Sequence, residues 1–135
     1  MKPSELAERT ITFSVDLVKL VEKLPRTPAG DAVAKPLIKS GINIGARYRH
    51  VMHAMNPYDF NKKIEECLNL SDETVHWLTI VLESGISPAD KVAPLRDEAR
   101  RLRRIFHKSR KAAMERSKSN ESRPRPSQGE DDIPF

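Results

Sequence analysis

The residues best able to do chemistry lie near the C-terminal end of the sequence and form two groups of opposite charge. The first group is basic. Between Arg96 and Lys118 there are ten lysines and arginines against three carboxylates, a local charge of +7 in a chain of formal net charge +5. Guanidinium and ammonium groups at this density can neutralise phosphates, with binding that weakens as salt rises. The alternative is a solvated helix face, because cations are also favoured near a helix C-terminus.

The positive charge is concentrated rather than spread, since the rest of the chain carries a charge of −2 by difference. We therefore predict that phosphate contacts are made by this cluster together with a shorter basic stretch earlier in the chain. The predicted nucleic-acid-binding residues are Arg47, Arg49, Arg96, Arg100, Arg101, Arg103, Arg104, Lys108, Arg110 and Lys111.

The second group is the acidic and apolar end of the chain, residues 130–135. Its two aspartates supply charge for a basic rim, its isoleucine and phenylalanine supply apolar anchors, and its proline limits the conformations lost on binding. A free carboxylate on the last residue can pair with an arginine or lysine. We predict a protein-docking peptide rather than a merely solubilising end. Its docking residues are Asp131, Asp132, Ile133, Pro134 and Phe135.

Other reactive side chains do not suggest catalysis. His50 and His53 are three residues apart, but no cysteine or carboxylate is placed near them to complete a metal site. Cys67 lies on an apolar helical stripe and lacks a nucleophile signature, so we expect core packing. The sequence has no glycine-rich phosphate loop and no nucleophile motif. We therefore expect no enzyme activity, no cofactor and no metal.

These residues must be positioned by four amphipathic helices, because apolar residues recur at helical spacing in four segments. The first helix covers about residues 4–24, and Ile11, Val18 and Val21 widen its core face. Pro25 ends it, since proline has no amide hydrogen to donate.

The second helix covers about residues 31–55 and contains Pro36. If the whole range is helical, Pro36 should kink it; if the regular helix starts at Lys35, Pro36 lies harmlessly in the first turn. Both alternatives stay open from the sequence. Gly41 and Gly45 each cost about 1 kcal/mol relative to alanine, which indicates close approach by a neighbouring helix.

Capping residues define the last two helices. Asn56 and Pro57 read as the N-cap and first helical position of the third helix, and Gly85 reads as its C-terminal cap. Ser87 and Pro88 repeat the opening pattern for the fourth helix.

Four helices with short connections predict one all-α domain, an antiparallel up-and-down four-helix bundle over residues 1–116. Residues 117–135 are rich in serine, proline and charged residues, so we predict a disordered tail that ends in the docking peptide. A single cysteine, the lack of a secretory signal and the lack of an apolar run of about 20 residues favour a soluble, cytoplasmic protein without a membrane partner.

Four short blocks resemble a known family: residues 40–46, 48–49, 59–64 and 73–78, which read SGINIGA, YR, DFNKKI and ETVHWL. They resemble the four-helix bundle family of proteins encoded in 23S ribosomal RNA intervening sequences, which is related to the accessory variability protein of diversity-generating retroelements. The resemblance implies a homopentamer. It also implies, from the retroelement relatives, a basic surface that binds nucleic acid and a reverse transcriptase.

The sequence departs from that family in two places. Arg47 and His50 stand where relatives usually carry asparagine and glutamate, so this segment is more basic. The segment after residue 116 is an addition, and its end resembles the acidic tip of bacterial single-stranded DNA-binding protein. That second resemblance implies partners among the replication and repair enzymes that recognise the tip.

Together these features predict a non-catalytic, oligomeric adaptor that holds single-stranded DNA or RNA on a basic surface and recruits enzymes through residues 130–135. The rival is a pure protein-interaction module that mimics the tip and titrates its partner enzymes without binding nucleic acid. A third alternative is autoinhibition, in which the acidic end folds back on the basic helix.

Overall fold

The computed structural model describes residues 1–121, and the side chains of residues 1–118. In this part of the chain, four helices are joined by short connections and there is no strand. The helices are α1 (Pro3–Glu22), α2 (Pro28–Val51), α3 (Pro57–Ser84) and α4 (Ala89–Glu121). No helix in this range is long and apolar enough to cross a membrane.

The helices form a ring in which each packs against its neighbours in sequence and α1 closes on α4. Contacts between helices show that they are antiparallel, because residue numbers rise on one helix as they fall on the next. A Cβ at Gly41 would touch Leu17, whereas one at Gly45 would touch Thr10. This arrangement confirms the predicted four-helix bundle.

The core follows the predicted helical spacing on α1, where Leu6, Phe13, Leu17 and Leu20 are buried. The prediction that Ile11 and Val18 widen this face was wrong, since 53% of Ile11 and 43% of Val18 is exposed. The reason lies in helix geometry: at about 100° per residue, both side chains lie more than about 100° round α1 from the centre of its buried stripe. Val21, the third residue expected on this face, lies closer to the stripe and is partly buried against the core.

Two glycines of α2 allow this close approach, as predicted. A Cβ on Gly41 would overlap the Leu17 side chain, and a Cβ on Gly45 would lie 2.9 Å from Thr10 Oγ1. The packing of α1 directly against the α2 backbone offsets the helix-propensity cost of the glycines.

The ends of α2 differ from the prediction at both sides. The helix begins at Pro28, because Thr27 Oγ1 accepts a hydrogen bond from the Gly30 amide at 3.0 Å and caps it earlier than residue 31. Pro36 therefore lies inside the helix. The helix ends at Val51, before residue 55, and the Met55 amide donates to Asp59 Oδ2 at 3.0 Å instead of continuing the helix.

The caps of α3 agree with the prediction. Asn56 Oδ1 accepts from the Asp59 amide at 2.8 Å, and Pro57 occupies the first helical position. Gly85 ends the helix with a φ of 71°, a left-handed conformation that glycine adopts without steric cost. α4 begins at Ala89, one residue later than predicted, with the Pro88 carbonyl accepting its first backbone hydrogen bonds.

α4 continues to Glu121, so the boundary predicted at residue 116 falls inside a helix. Adding residues to an existing helix avoids the cost of nucleation, and the polar residues of this stretch tolerate helical conformation. The predicted docking residues, from Asp131 to Phe135, lie outside the described residues.

Candidate nucleic-acid interface

The basic cluster of α4 divides into paired and unpaired residues. Arg103 Nη1 donates to Asp72 Oδ1 at 2.7 Å, and Arg110 Nη2 lies 3.9 Å from Glu65 Oε2, so both reach across to α3. Arg101 Nη1 donates to Glu98 Oε1 at 3.4 Å within α4 itself. Three arginines of the basic cluster are therefore paired with carboxylates of the bundle, which reduces the positive charge available to phosphate.

Four other cations form a ridge along α4: Arg100, Arg104, Lys108 and Lys111. They step by 4, 4 and 3 residues, which places them on one helical face. Arg104, Lys108 and Lys111 are exposed and Arg100 is half-buried. Among the described side chains, none of the four has a carboxylate within 4.0 Å. We call this set the cationic ridge.

The ridge faces away from the core because the apolar side of the same helix is buried. Ala99, Leu102 and Phe106 are fully enclosed between the other helices. The ridge extends about 16 Å along the axis at 1.5 Å per residue. A linear array of unpaired cations at this spacing suits the backbone of a single strand, whose phosphates follow a line.

Arg96 stands apart from the ridge. Its side chain is half-buried, and its Nε is enclosed without a hydrogen-bond partner among the described residues. A guanidinium held in this way is less available to a phosphate in solution than the exposed groups of Arg104 or Lys111.

The structure does not bring Arg47 and Arg49 together with the ridge. α2 packs against α1 and α3, and α4 packs against the same two helices, so α2 and α4 lie diagonally across the bundle. Arg47 Nε is 3.9 Å from Glu66 Oε2 on α3, and Arg49 is exposed on α2. The predicted basic residues therefore do not form one surface, and Arg47 and Arg49, two residues apart on a helix, do not share a face with each other either.

An acidic face on α3 lies between Arg47 and the cationic ridge. Its exposed carboxylates are Glu65, Glu66, Asp72 and Glu73. Three of them are the partners of Arg47, Arg103 and Arg110. Such a face repels phosphate, so it confines the candidate interface to the outer side of α4.

An ion pair that the sequence did not reveal joins α1 to α4. Arg9 donates from Nε to Glu98 Oε2 at 2.6 Å and from Nη2 to Glu98 Oε1 at 2.9 Å. The hydrogen bonds from Arg9 lower the pKa of Glu98, and the same contact raises the pKa of Arg9. The residues are 89 positions apart, and no local pattern could have paired them.

Two grooves open along the contact of α1 with α4, and Arg9 and Glu98 line the larger one. The larger groove, of about 800 Å³, lies beside the start of α4 and is lined by residues of both charges, among them Lys19, Lys91, Asp16 and Asp90. The smaller groove, of about 440 Å³, lies farther along α4 beside Lys108. We refer to them as the Lys91 groove and the Lys108 groove.

The cysteine and histidines occupy structural positions. Cys67 is buried, with Sγ 4.0 Å from the Ile44 carbonyl oxygen, and burial raises the pKa of its thiol to about 12. This confirms the prediction of core packing. His53 follows the end of α2, so it does not share a helical face with His50. Within residues 1–118, no three potential metal-ligating residues lie together.

Comparison with known proteins supports the fold. A crystal structure of a protein of unknown function from the S23 ribosomal protein family of Bacteroides thetaiotaomicron aligns with a TM-score of 0.73 and 21% sequence identity. The alignment covers 78% of this chain and 98% of that one. At this identity the likeness shows a shared helical-bundle fold alone. No family model and no curated protein matches the chain.

Proposed function

We propose that this chain is a non-catalytic adaptor that holds single-stranded DNA or RNA on the cationic ridge and recruits replication or repair enzymes through residues 130–135. The cationic ridge is the observation that carries the nucleic-acid part. Its four charges lack carboxylate partners in the described part of the chain, whereas Arg103 and Arg110 beside them are paired. Four phosphate contacts per chain give weak binding, which multiplies when several chains engage one strand.

The proposed assembly is a homopentamer, the form that the family resemblance implies. Exposed apolar residues on α1 support self-association: Ile11, Val15 and Val18 follow one another at helical spacing with 53%, 47% and 43% exposure. Ile42 on the adjoining helix α2 is also exposed, at 41%. Covering such a stripe is a normal reason for oligomerisation.

The proposed partners follow from the same residues. Enzymes that recognise the tip of bacterial single-stranded DNA-binding protein would bind Asp131, Asp132, Ile133, Pro134 and Phe135, and a reverse transcriptase is the further partner that the retroelement relatives imply. Arg47 and Arg49 supply further positive charge on different sides of α2, because residues two apart do not share a helical face. The single cysteine, buried with a protonated thiol, suits a reducing cytoplasm.

Fluorescence anisotropy with labelled single-stranded DNA and RNA tests the nucleic-acid part. We expect binding by the full chain that weakens steeply with sodium chloride and disappears when the four ridge residues are replaced by glutamine. Replacing Arg47 and Arg49 by glutamine should have the smaller effect. Binding that does not depend on salt, or that survives loss of the whole ridge, would exclude the ridge as the interface.

The rival function is a pure protein-interaction module that mimics the tip and titrates partner enzymes. The acidic face of α3 and the three paired arginines of α4 favour it, because they reduce the charge available to phosphate. Pull-down from bacterial lysate with the intact chain and with a Phe135 deletion separates the two. The adaptor loses only its enzyme and keeps nucleic acid, whereas the mimic loses every captured component.

Light scattering on the purified chain tests the assembly. We expect the mass of five copies, and a smaller mass for the Ile11→Lys/Val18→Lys variant. The matched control replaces by lysine the exposed Glu5 and Asp16, which lie on another side of the same helix. A monomeric mass for the intact chain at micromolar concentration would contradict the pentamer.

A further inference from the structure

The Lys108 groove differs from the Lys91 groove in its charge. Its floor includes the buried side chains of Leu6, Tyr48 and Ile64, and its rim carries Lys108 and Arg116. Both rim cations are exposed. No carboxylate is found among the described residues that line it, whereas the Lys91 groove has three.

An apolar floor with a purely cationic rim selects a ligand that is apolar at one end and anionic around it. Residues 130–135 have that chemistry, because Asp131 and Asp132 precede the apolar Ile133 and Phe135. A volume of about 440 Å³ falls within the range of about 300 to 1,000 Å³ that holds small ligands. It suits one or two large side chains rather than a folded partner.

The length of chain beyond the described residues permits this end to reach the groove. α4 ends at Glu121, and Lys108 lies about 20 Å back along the helix at 1.5 Å per residue. Arg116 lies only about 8 Å back. Residues 122–135 span at most about 46 Å, so the distance to either rim cation is less than half of their reach.

We propose that the Lys108 groove is a binding site for a short acidic peptide ending in an aromatic residue, and that its occupant is residues 130–135 of the same chain. The aromatic ring of Phe135 enters the apolar floor. The aspartates lie against Lys108 and Arg116. Attachment to α4 gives the peptide a local concentration on the order of millimolar, so a weak intrinsic affinity is enough to fill the groove.

Occupation of the groove regulates both the cationic ridge and the enzyme-docking tip, residues 130–135. This consequence rests on the proposed function. Lys108 belongs to the cationic ridge, so a docked tip removes one phosphate contact and places acids beside the others. Nucleic acid on the ridge disfavours the docked tip to the same degree, because coupling between two binding events is reciprocal. The tip is then released towards an enzyme when a strand is bound.

Binding of a synthetic peptide tests the site in the absence of nucleic acid and enzyme. The probe is a fluorescein-labelled peptide with the sequence of residues 128–135 and a free carboxylate, titrated with the full-length chain. We expect it to bind the Phe135→Ala chain, whose own tip is weakened. The intact chain should bind the peptide about tenfold more weakly, because its own tip competes for the groove. This factor follows if the free peptide has a Kd on the order of 0.1 mM and the tethered tip a local concentration on the order of 1 mM.

Two variants on the Phe135→Ala background locate the peptide. Ser109→Phe fills the groove without a change of charge, and Lys108→Glu/Arg116→Glu reverses the rim; each should reduce binding at least tenfold. Lys19→Glu/Lys23→Glu in the Lys91 groove is the matched control and should leave it unchanged. Circular dichroism confirms that each variant is folded.

Three results would overturn the proposal. The peptide could fail to bind the Phe135→Ala chain, or it could bind the intact chain as tightly as the Phe135→Ala chain. Alternatively, Lys19→Glu/Lys23→Glu could reduce binding as much as the variants of the Lys108 groove do. Because the titration contains no nucleic acid, failure of this site leaves the test of the ridge untouched. A peptide of the same composition in scrambled order should not bind.

Discussion

Replacing Arg104 and Arg103 one at a time tests whether ion pairs decide which arginines meet phosphate. The two residues are adjacent in sequence and identical in type, but Arg103 Nη1 is 2.7 Å from Asp72 Oδ1 and Arg104 belongs to the cationic ridge. Substitution by glutamine keeps much of each side chain and removes its charge. The Arg103–Asp72 pair is largely exposed, so its loss should cost at most about 1 kcal/mol of stability.

The expected effect appears in the salt dependence of binding. Each phosphate contact to a single strand contributes about −0.7 to the slope of log K against log salt, so four ridge contacts give about −2.8. Between 50 and 200 mM salt the intact chain should then lose about 50-fold in affinity. Arg104→Gln should reduce the slope to about −2.1 and the loss to about 18-fold. Arg103→Gln should keep the slope of the intact chain.

Fluorescence anisotropy across a salt series measures both slopes on the same labelled oligonucleotide. The slope for Arg104→Gln should be about three quarters of the slope for the intact chain, whatever the number of ridges that one strand contacts. Equal reductions by both substitutions would show that ion pairing to α3 does not protect Arg103 from phosphate. No reduction by Arg104→Gln would remove that residue from the interface.

The remaining predictions concern the bundle and are measured by urea unfolding or thiol labelling. Glu98→Gln should lower the unfolding free energy at pH 7 by about 1 kcal/mol, since Arg9 loses a charged partner across two helices. Arg9 lowers the pKa of Glu98, so this contribution is present above the ordinary value of about 4.3 and the variant should match the intact chain at lower pH. Gly45→Ala should destabilise the protein by about 1 to 3 kcal/mol, because its Cβ would meet Thr10 Oγ1 at 2.9 Å. An unchanged free energy of unfolding would mean that α1 can move away from α2 without cost. Cys67 should react with iodoacetamide at pH 8 only in urea, and the stability that its neutral thiol contributes should fall as pH rises from about 9 towards 12. Rapid labelling of the folded chain would contradict its burial.

Features set by neighbouring residues were predictable from the sequence. Asn56, Pro57 and Gly85 define the ends of α3 because capping depends on the cap residue and the amides or carbonyls within one turn. The glycines of α2 were informative for a similar reason: two of them at helical spacing are costly unless another backbone approaches.

Features set by the rotation of one helix against another were not predictable. The division of the basic cluster depends on how α3 lies against α4, which places Asp72 beside Arg103 but no carboxylate beside Arg104. A count of charges in the sequence therefore gives the number of basic residues in the cluster, but not which of them lack a carboxylate partner. The exposure of Ile11, by contrast, follows from the helical period, which sets it apart from the stripe of Phe13 and Leu17.

The contact of α1 with α4 has a consequence for folding kinetics. The other three helix pairs are hairpins of sequence neighbours, whereas Arg9 and Glu98 are 89 positions apart, and α1 and α4 make the least extensive contact of the four pairs. Closing so long a loop carries the largest entropy cost, so this contact should form last and open first. Weakening Arg9–Glu98 should accordingly accelerate unfolding and leave the folding rate nearly unchanged. Residues of α1 and α4 line both grooves, so a brief separation of these two helices would expose the groove linings to solvent without unfolding the hairpins.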